Sequence, residues 1–443
     1  MPDTKGLGTF VNDEHELATD AIDLFSIPHA EVSIVHGKNV TYYPTGPLTD
    51  DGNYEFIMTN DSNEYTVLDQ TTIYGECEVT KADGSATTAA DKVSCVNLFP
   101  QALFKQVEVY LNGQCINDLS TVTYPWKAFL ENMLTYDNNM KNTTLAATEM
   151  FIKDTIGEET YSDANLTTET SGIAKRHARI VGKKIFFEIV PHIDFLQCKK
   201  YLIPGVEMRI KLIKSNNDFV LMHGQANNTY KVVMKKLQLC TRKVTLDPRV
   251  SEAIERGLEK APAIYPITQS KIKTHLLASG SQTYHLPQVI RGKLPRSFLF
   301  VLLESEQMES KPSGNPFLFA PRNVNNINVY INGEPIHPVS LDPDFSTGRY
   351  LKEFRWQLDN TGLKNHETNG ITFEEYGKNM CFFPYDLSPD QCNGYYKHGL
   401  ETGTVDIQLG FSAVLPKNLT LLLFACYNEQ VLIDKNRVIT IIS

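Results

Sequence analysis

At 443 residues the chain is too long for one ordinary core and suits two domains of roughly 200 residues each. Its 22 Pro and 26 Gly break it often, and a formal net charge of −10 speaks against a surface built to grip nucleic-acid phosphates. No apolar run approaches the ~18 to 20 residues of a membrane span.

Residues 1–28 read as an N-terminal leader with an acidic, weakly helical stretch (Asp13, Glu14, Glu16, Asp20, Asp23), lacking the basic start and apolar core of a secretory signal. Strand patterns of period two follow. Ile73, Cys77 and Val79 alternate with Tyr74, Glu76 and Glu78, and Val107, Val109 and Leu111 alternate with Glu108 and Tyr110. Asn112-Gly113 then supplies the positive φ angles of a two-residue type I′ turn. Trp126, Phe129, Leu130, Met133 and Leu134 share one helical face, with Ser120-Thr121 upstream as turn or cap residues. Residues 135–180 form a polar segment rich in Asn, Thr, Asp and Glu, expected as an exposed insertion. Val206, Met208, Ile210 and Leu212 mark another strand, and these elements bound a first unit at 29–245. Residues 246–261 read as a linker helix, with Pro248 near its start, Val250, Ile254 and Leu258 at i, i+4, i+8, and Pro262 to stop it.

The second unit spans 262–443. FLFVLL (298–303) and TLLLFAC (420–426) are dense enough to be strands buried on both faces. Between them the first unit's hairpin word returns. VEVYLNGQCI (107–116) is echoed by INVYINGEPI (327–336), Leu98-Phe99 by Leu318-Phe319, and GVEMRIKL (205–212) by TVDIQLGF (404–411). Tyr124, Lys127 and Phe129 find counterparts in Tyr350, Lys352 and Phe354, on a second helical face with Leu351 and Leu358 that follows Ser346-Thr347. Collinear segments indicate a duplicated β domain. Polar loops are expected at 304–316 and 359–380.

The eight cysteines (77, 95, 115, 198, 240, 381, 392, 426) are scattered, without CxxC or zinc spacing, and read as reduced thiols. The sequons at Asn39, Asn142 and Asn165 carry no weight in such an Asn/Thr-rich chain. Chemistry is sparse. His192 and Asp194, two apart in VPHIDF, would share a strand face, but no GxSxG elbow, phosphate loop or GxGxxG accompanies them. Glu374-Glu375 reads as a solvated loop pair. Lys175, Arg176, His177, Arg179, Lys183 and Lys184 form the strongest positive patch, read as a solvated edge-strand run. No catalytic, cofactor-binding or metal residues are assigned, no cofactor is implied, and the chain is not expected to be an enzyme.

The fold class expected is all-β: two tandem eight-stranded antiparallel jelly rolls, with short helices and long loop insertions. Three functions suit such a scaffold: a shell-tiling structural protein, a carbohydrate-binding lectin-like protein, or a cupin-type enzyme. A cupin needs an HxH-type ligand cluster, and a lectin is expected to carry a secretion signal; the assembly protein is preferred.

Seven words in order carry a resemblance: EYTVLDQTTIYGECEVTKADG (64–84), FKQVEVYLNG (104–113), FEIVPHIDFLQCKKYLIPGVEMRIKL (187–212), GKLPRSFLFVLLESE (292–306), VNNINVYINGEPI (324–336), FPYDLSPD (383–390) and IDKNRVI (433–439). Over about residues 28 to 443 the chain resembles the major capsid proteins of Polinton/Maverick elements, adintoviruses and polinton-like viruses. The resemblance implies a hexon-like double jelly roll whose homotrimer forms a pseudo-hexagonal capsomer of an icosahedral capsid (virion) enclosing double-stranded DNA. It further implies neighbouring capsomers and a single jelly-roll penton protein as partners, with no specific nucleic-acid binding, no transmembrane segment and no active site.

Overall fold

The computed structural model describes residues 31–49, 52–60, 63–117, 123–227, 229–308, 311–336, 340–361, 369–389 and 401–442. The leader, Ser120-Thr121 and Cys392 lie outside the described residues.

Strands are numbered in chain order. One sheet runs β1 (Ile34–Tyr42), β10 (Tyr230–Leu246), β3 (Glu64–Lys81), β7 (Lys184–Ile189). Its companion runs β2 (Asn53–Met58), β8 (Met208–Lys214), β5 (Phe104–Leu111), β6 (Gln114–Cys115). A small pair, β4 (Val93–Cys95) with β9 (Leu221–His223), lies beside them. The second half repeats both orders: β11 (Ala263–Leu277), β18 (Leu419–Ile433), β13 (Ser297–Glu304), β16 (Phe383–Asp386), and β12 (Thr283–Lys293), β17 (Thr402–Phe411), β14 (Val324–Ile331), β15 (Glu334–Pro335). All named ladders are antiparallel. Matching the two halves position by position gives two eight-stranded jelly rolls in tandem.

The repeated words occupy equivalent places. Asn112-Gly113 joins β5 to β6 and Asn332-Gly333 joins β14 to β15. All four residues have positive φ (46°, 82°, 53° and 86°), as a type I′ turn demands. Each asparagine also pins a neighbouring strand. The Asn112 Oδ1 accepts from the Glu207 N–H at 2.8 Å, and the Asn332 Oδ1 accepts from the Thr404 N–H at 2.9 Å.

One difference separates the rolls. β10 is paired along its length by β3, from Tyr230↔Lys81 to Thr245↔Glu64. β18 is paired by β13 only over Leu419–Cys426, and β19 (Ile439–Ile442) pairs its last four residues, Gln430–Ile433.

Four helices matter here: α1 (Tyr124–Thr135), α2 (Gly172–Ile180), α3 (Pro248–Leu258) and α4 (Leu351–Asn360). α3 lies between the rolls in sequence, with Pro248 in its first turn and the Asp247 carboxylate accepting from the Arg249 N–H. Val250, Ile254 and Leu258 form its packed side. α1 buries the expected face, Trp126, Phe129, Leu130 and Met133. α4 does not. It buries Glu353, Gln357 and Asn360, and Leu351 is 68% exposed. Its Trp356 reaches sideways instead, donating to the Pro384 carbonyl at 2.8 Å. Ser346 and Thr347 do not cap α4; their N–H groups close a turn on the Asp344 carboxylate.

The 135–180 segment departs from an exposed excursion. Leu145, Met150, Phe151, Leu166, Ile173 and Ile180 are buried, so its few apolar residues anchor it. Arg176 is fully buried, pairing with Asp154 at 2.6 Å and donating to the Cys95 and Ile152 carbonyls. Of the basic run, Lys175, Arg179, Lys183 and Lys184 remain exposed, His177 is partly buried, and α2 carries the first half of the run before edge strand β7 begins.

The outer sheets of the two rolls, four-stranded in the first and five-stranded with β19 in the second, differ in burial. In β7, and in β3 from Thr71 to Val79, buried and accessible residues alternate. In β13, and in β18 from Leu419 to Ala425, both faces are buried, as the dense apolar runs indicated. Something covers the outer face of the second roll, and it is the first roll.

Candidate functional site

The seam between the rolls concentrates the polar chemistry of the chain. α1 presents Lys127 and Glu131 one turn apart, the stretch after β7 presents His192 and Asp194, and β11 presents Ser270 from the second roll. His192 and Asp194 are not on a strand: 191–193 is irregular and Asp194 opens a short 3₁₀ turn, Asp194–Gln197. Pro191 removes a ladder donor, which ends β7 before the pair is reached.

The two residues diverge into one network. Asp194 Oδ1 lies 2.6 Å from Lys127 Nζ, and its other oxygen accepts from the Ser270 N–H at 3.1 Å. His192 Nδ1 lies 2.6 Å from Glu131 Oε2, while Asn132 Nδ2 lies 2.9 Å from His192 Nε2. An amide nitrogen can only donate, so Nε2 accepts and the proton sits on Nδ1, directed at Glu131. Ser270 Oγ donates to the second Glu131 oxygen at 3.1 Å. Gln101 extends the network, accepting from the Tyr124 hydroxyl at 2.7 Å and donating to Glu149 at 3.2 Å.

Electrostatics follow from this placement. Burial disfavours the charge on Lys127, but Asp194 and Glu131 outweigh it and hold the lysine protonated. Burial would raise Glu131, yet Lys127, His192 and Ser270 bring it below the usual carboxylate range. Asp194 and Glu149 are pushed up, burial being the larger cause in each.

This is not a nucleophilic arrangement. Serine and histidine both donate to Glu131 instead of bonding each other, so no imidazole stands ready to take the Ser270 proton. Among the described residues no group of three or more His, Cys, Asp or Glu gathers to hold a metal. The cysteines among them are all free, with burial raising the Cys95 thiol to about 12. Glu375, expected in a solvated pair, is instead a capping-box residue for the short helix Phe373–Tyr376 and pairs with Lys153 at 2.8 Å. Its neighbour Glu374 is exposed.

The chemistry the seam supports is cohesion. Phe129 on α1 stacks on Phe317 of the second roll, centroids 4.6 Å apart and planes 5° apart, and meets Phe319 at 5.6 Å. Such pairs add ~0.5–1.5 kcal/mol beyond the burial of their area. Trp126 donates to the Pro316 carbonyl at 3.0 Å, Asn315 donates to Asp154 at 3.0 Å, and Lys141 donates to the Asn369 carbonyl at 2.6 Å. A cavity of about 490 Å³ remains beside the polar network, lined by Tyr136, Pro191, Arg296, Phe298, Tyr385 and Phe424. Sequence reading missed the seam because its partners lie more than 60 residues apart; the one available signal was an apolar helix bearing Lys127 and Glu131 at i, i+4.

A second cross-roll clasp involves the IDKNR word. Arg437 donates to Glu255 of α3 at 2.6 Å and to the Pro204 carbonyl at 2.8 Å, and its own carbonyl accepts from Asn112 at 2.9 Å. Two of the seven words that carry the resemblance, FKQVEVYLNG and IDKNRVI, are thus in direct contact.

No protein-family model matches the chain. A relative from Caenorhabditis elegans, "Uncharacterized protein F54H12.2", is 22% identical over 381 residues, covering 83% of this chain and 87% of the relative. Among solved structures, a chain from the cryo-EM structure of the Sputnik virophage superposes with a TM-score of 0.64 at 11% identity, covering 96% of this chain and 92% of that one. The mavirus major capsid protein superposes with a TM-score of 0.51 at 10% identity, covering 96% of this chain and 95% of that one. At such identities the likeness is one of fold: the double jelly roll of viral major capsid proteins. These neighbours are structural capsid proteins, not enzymes. Among the described residues no helix is long and apolar enough to cross a membrane.

Proposed function

We propose that this chain is a major capsid protein whose homotrimer forms a pseudo-hexagonal capsomer of an icosahedral shell around double-stranded DNA. The observation that carries the reading is the pair of rolls with identical strand order, joined through a seam built from both and matching capsid folds over nearly the whole chain. Two similar blocks per chain give six around a threefold axis, a geometric reason for the fusion. Cyclic symmetry closes such a ring through one repeated heterologous interface. The words quoted above support placing the chain with Polinton/Maverick, adintovirus and polinton-like virus capsid proteins, and with them a single jelly-roll penton as partner. A negative chain whose most basic helix buries its Arg176 suits a shell that encloses DNA without gripping it.

Light scattering on the purified protein tests the reading. We expect a mass near three chains, with larger assemblies as concentration rises and shells visible by electron microscopy once the penton partner is added. A protein that remains monomeric at high concentration with that partner present overturns it.

A further inference from the structure

The two rolls are equivalent in topology but not in what covers them. The outer face of the β11–β18–β13–β16 sheet carries Ser270, Phe424, Cys426 and Leu299, and α1 with the 190–197 stretch of the first roll lies over it. The equivalent outer face of the first roll is the β1–β10–β3–β7 sheet. Its cross-strand rows are Tyr74, Gln238 and Glu188, then Glu76, Lys236 and Phe186. Among the described residues this face is open: Phe186 is 55% exposed, and Val190, just past the end of β7, is exposed too. An exposed phenylalanine on an edge strand is the kind of feature proteins avoid leaving in water.

The second roll has a counterpart to the element that covers. α4 follows the second hairpin as α1 follows the first, and their entry residues share a backbone conformation (Thr123 φ −135°, ψ 11°; Tyr350 φ −141°, ψ 24°). α1 turns one side to its own roll and the other to the second. α4 turns only one side inward, and leaves Leu351, Lys352 and Arg355 exposed. So α4, packed on β16 of its own roll through Trp356, has an outer side that meets no sheet among the described residues, and the first roll has an outer sheet that no helix of the second roll covers.

We infer that these two unmatched surfaces are partners between copies: α4 of one chain docks on the outer β1–β10–β3–β7 face of the next. The inference rests on the capsomer reading and assigns its interface. Leu351 supplies an apolar contact for Phe186. Lys352 and Arg355, which within the chain meet the Ser340 carbonyl at 3.4 Å and Asp359 at 3.2 Å, approach Glu188, which accepts from the Thr72 hydroxyl at 2.9 Å, and Glu76, which pairs with Lys184 at 3.3 Å. Within one chain the two surfaces do not meet among the described residues: α4 and the open sheet belong to different rolls, and the two cross-roll contacts, the α1 seam and the Arg437 clasp, involve neither Leu351 nor Phe186. Repeating the seam head to tail closes a ring at three chains, with no surface of this kind left over.

Two measurements test the assignment. Full-length chains, half of them ¹⁵N-labelled, are mixed and treated with a zero-length carbodiimide; Lys352 should link to Glu188 or Glu76 with mixed isotopes, marking contact between chains. In parallel, Phe186→Glu and Leu351→Glu, both on exposed side chains that leave the core intact, should each raise the concentration at which trimers dissociate about tenfold or more. Trimers that persist unchanged in both variants, or links from Glu76 and Glu188 to residues 1–28 of the same chain, overturn the choice of face while leaving the capsomer standing. A wild-type chain that never leaves the monomer overturns the capsomer reading itself.

Discussion

At the scale of single residues, Asn332 and Asn112 do two jobs each. They hold positive φ at the first turn position, and their amide oxygens tie down the start of the strand opposite. Replacing Asn332 by Ala removes the hydrogen bond (~1 kcal/mol) and adds left-handed strain (~1 kcal/mol), a loss of about 2 kcal/mol. Thermal unfolding of the variant should fall by about 4–8 °C. Lys141 invites a different experiment. It is fully buried, donating at 2.6 Å to the Met133 and Asn369 carbonyls, and burial together with Lys153 lowers it from 10.5 to about 7. A neutral amine still has two hydrogens, enough for both carbonyls. Between pH 7 and 10.5 the unfolded chain therefore holds a proton that the folded chain has released, so stability rises with pH, by at most ~1.4 kcal/mol per unit. Below pH 7 both states are protonated and the slope vanishes. Denaturant titrations at pH 7 and 9 should show the rise in wild type and its loss in Lys141→Met.

At the scale of elements, the 135–180 segment owes its place to one buried ion pair and a few apolar anchors. Arg176→Met leaves Asp154 buried beside Asn315 without its cation, and should cost about 3–5 kcal/mol. The double variant Arg176→Met, Asp154→Leu should recover much of that, and the difference, read by urea unfolding, isolates the stranded charge. Composition suggested an exposed loop because Asn, Thr and acidic residues dominate the segment, whereas Leu145, Phe151 and Ile173 are spaced too irregularly to announce a helix before the body of the roll is present. The strands were legible for the opposite reason: period-two alternation at Ile73–Val79 and Met208–Leu212, and the Asn-Gly pairs, are local signals that tertiary contacts only confirmed. α4 misled because Leu351 and Phe354 look like one stripe, but Phe354 packs edge-on to Phe373 (5.5 Å) while Leu351 points away. His192 and Asp194 were visible as a pair; that Lys127, Glu131 and Ser270 complete their setting was not, since nothing local in the chain relates positions 127, 194 and 270.

For the molecule as a whole, cohesion between the rolls comes from two places, the aromatic and ionic seam around α1 and the smaller Arg437 clasp. Arg437→Ala should leave the seam intact yet free the final strand. Amide exchange over 439–442 should speed up relative to β18 while the unfolding midpoint moves little; equal protection in variant and wild type would show that the clasp holds nothing.

The division of labour between β13 and β19 also sets an order in time. A growing chain has all eight strands of its first sandwich in hand once Leu246 has emerged, because β3 alone lines β10 from end to end. The second sandwich has no such luxury: Gln430–Ile433 must wait, unpaired on one side, for Ile439–Ile442. During that interval the waiting strand is open to any other β edge, including that of a sister chain being made nearby. The tight Asp434 turn, with Asn436 and Val438 donating to one carboxylate, keeps the interval to a few residues and makes the correct strand the first to arrive.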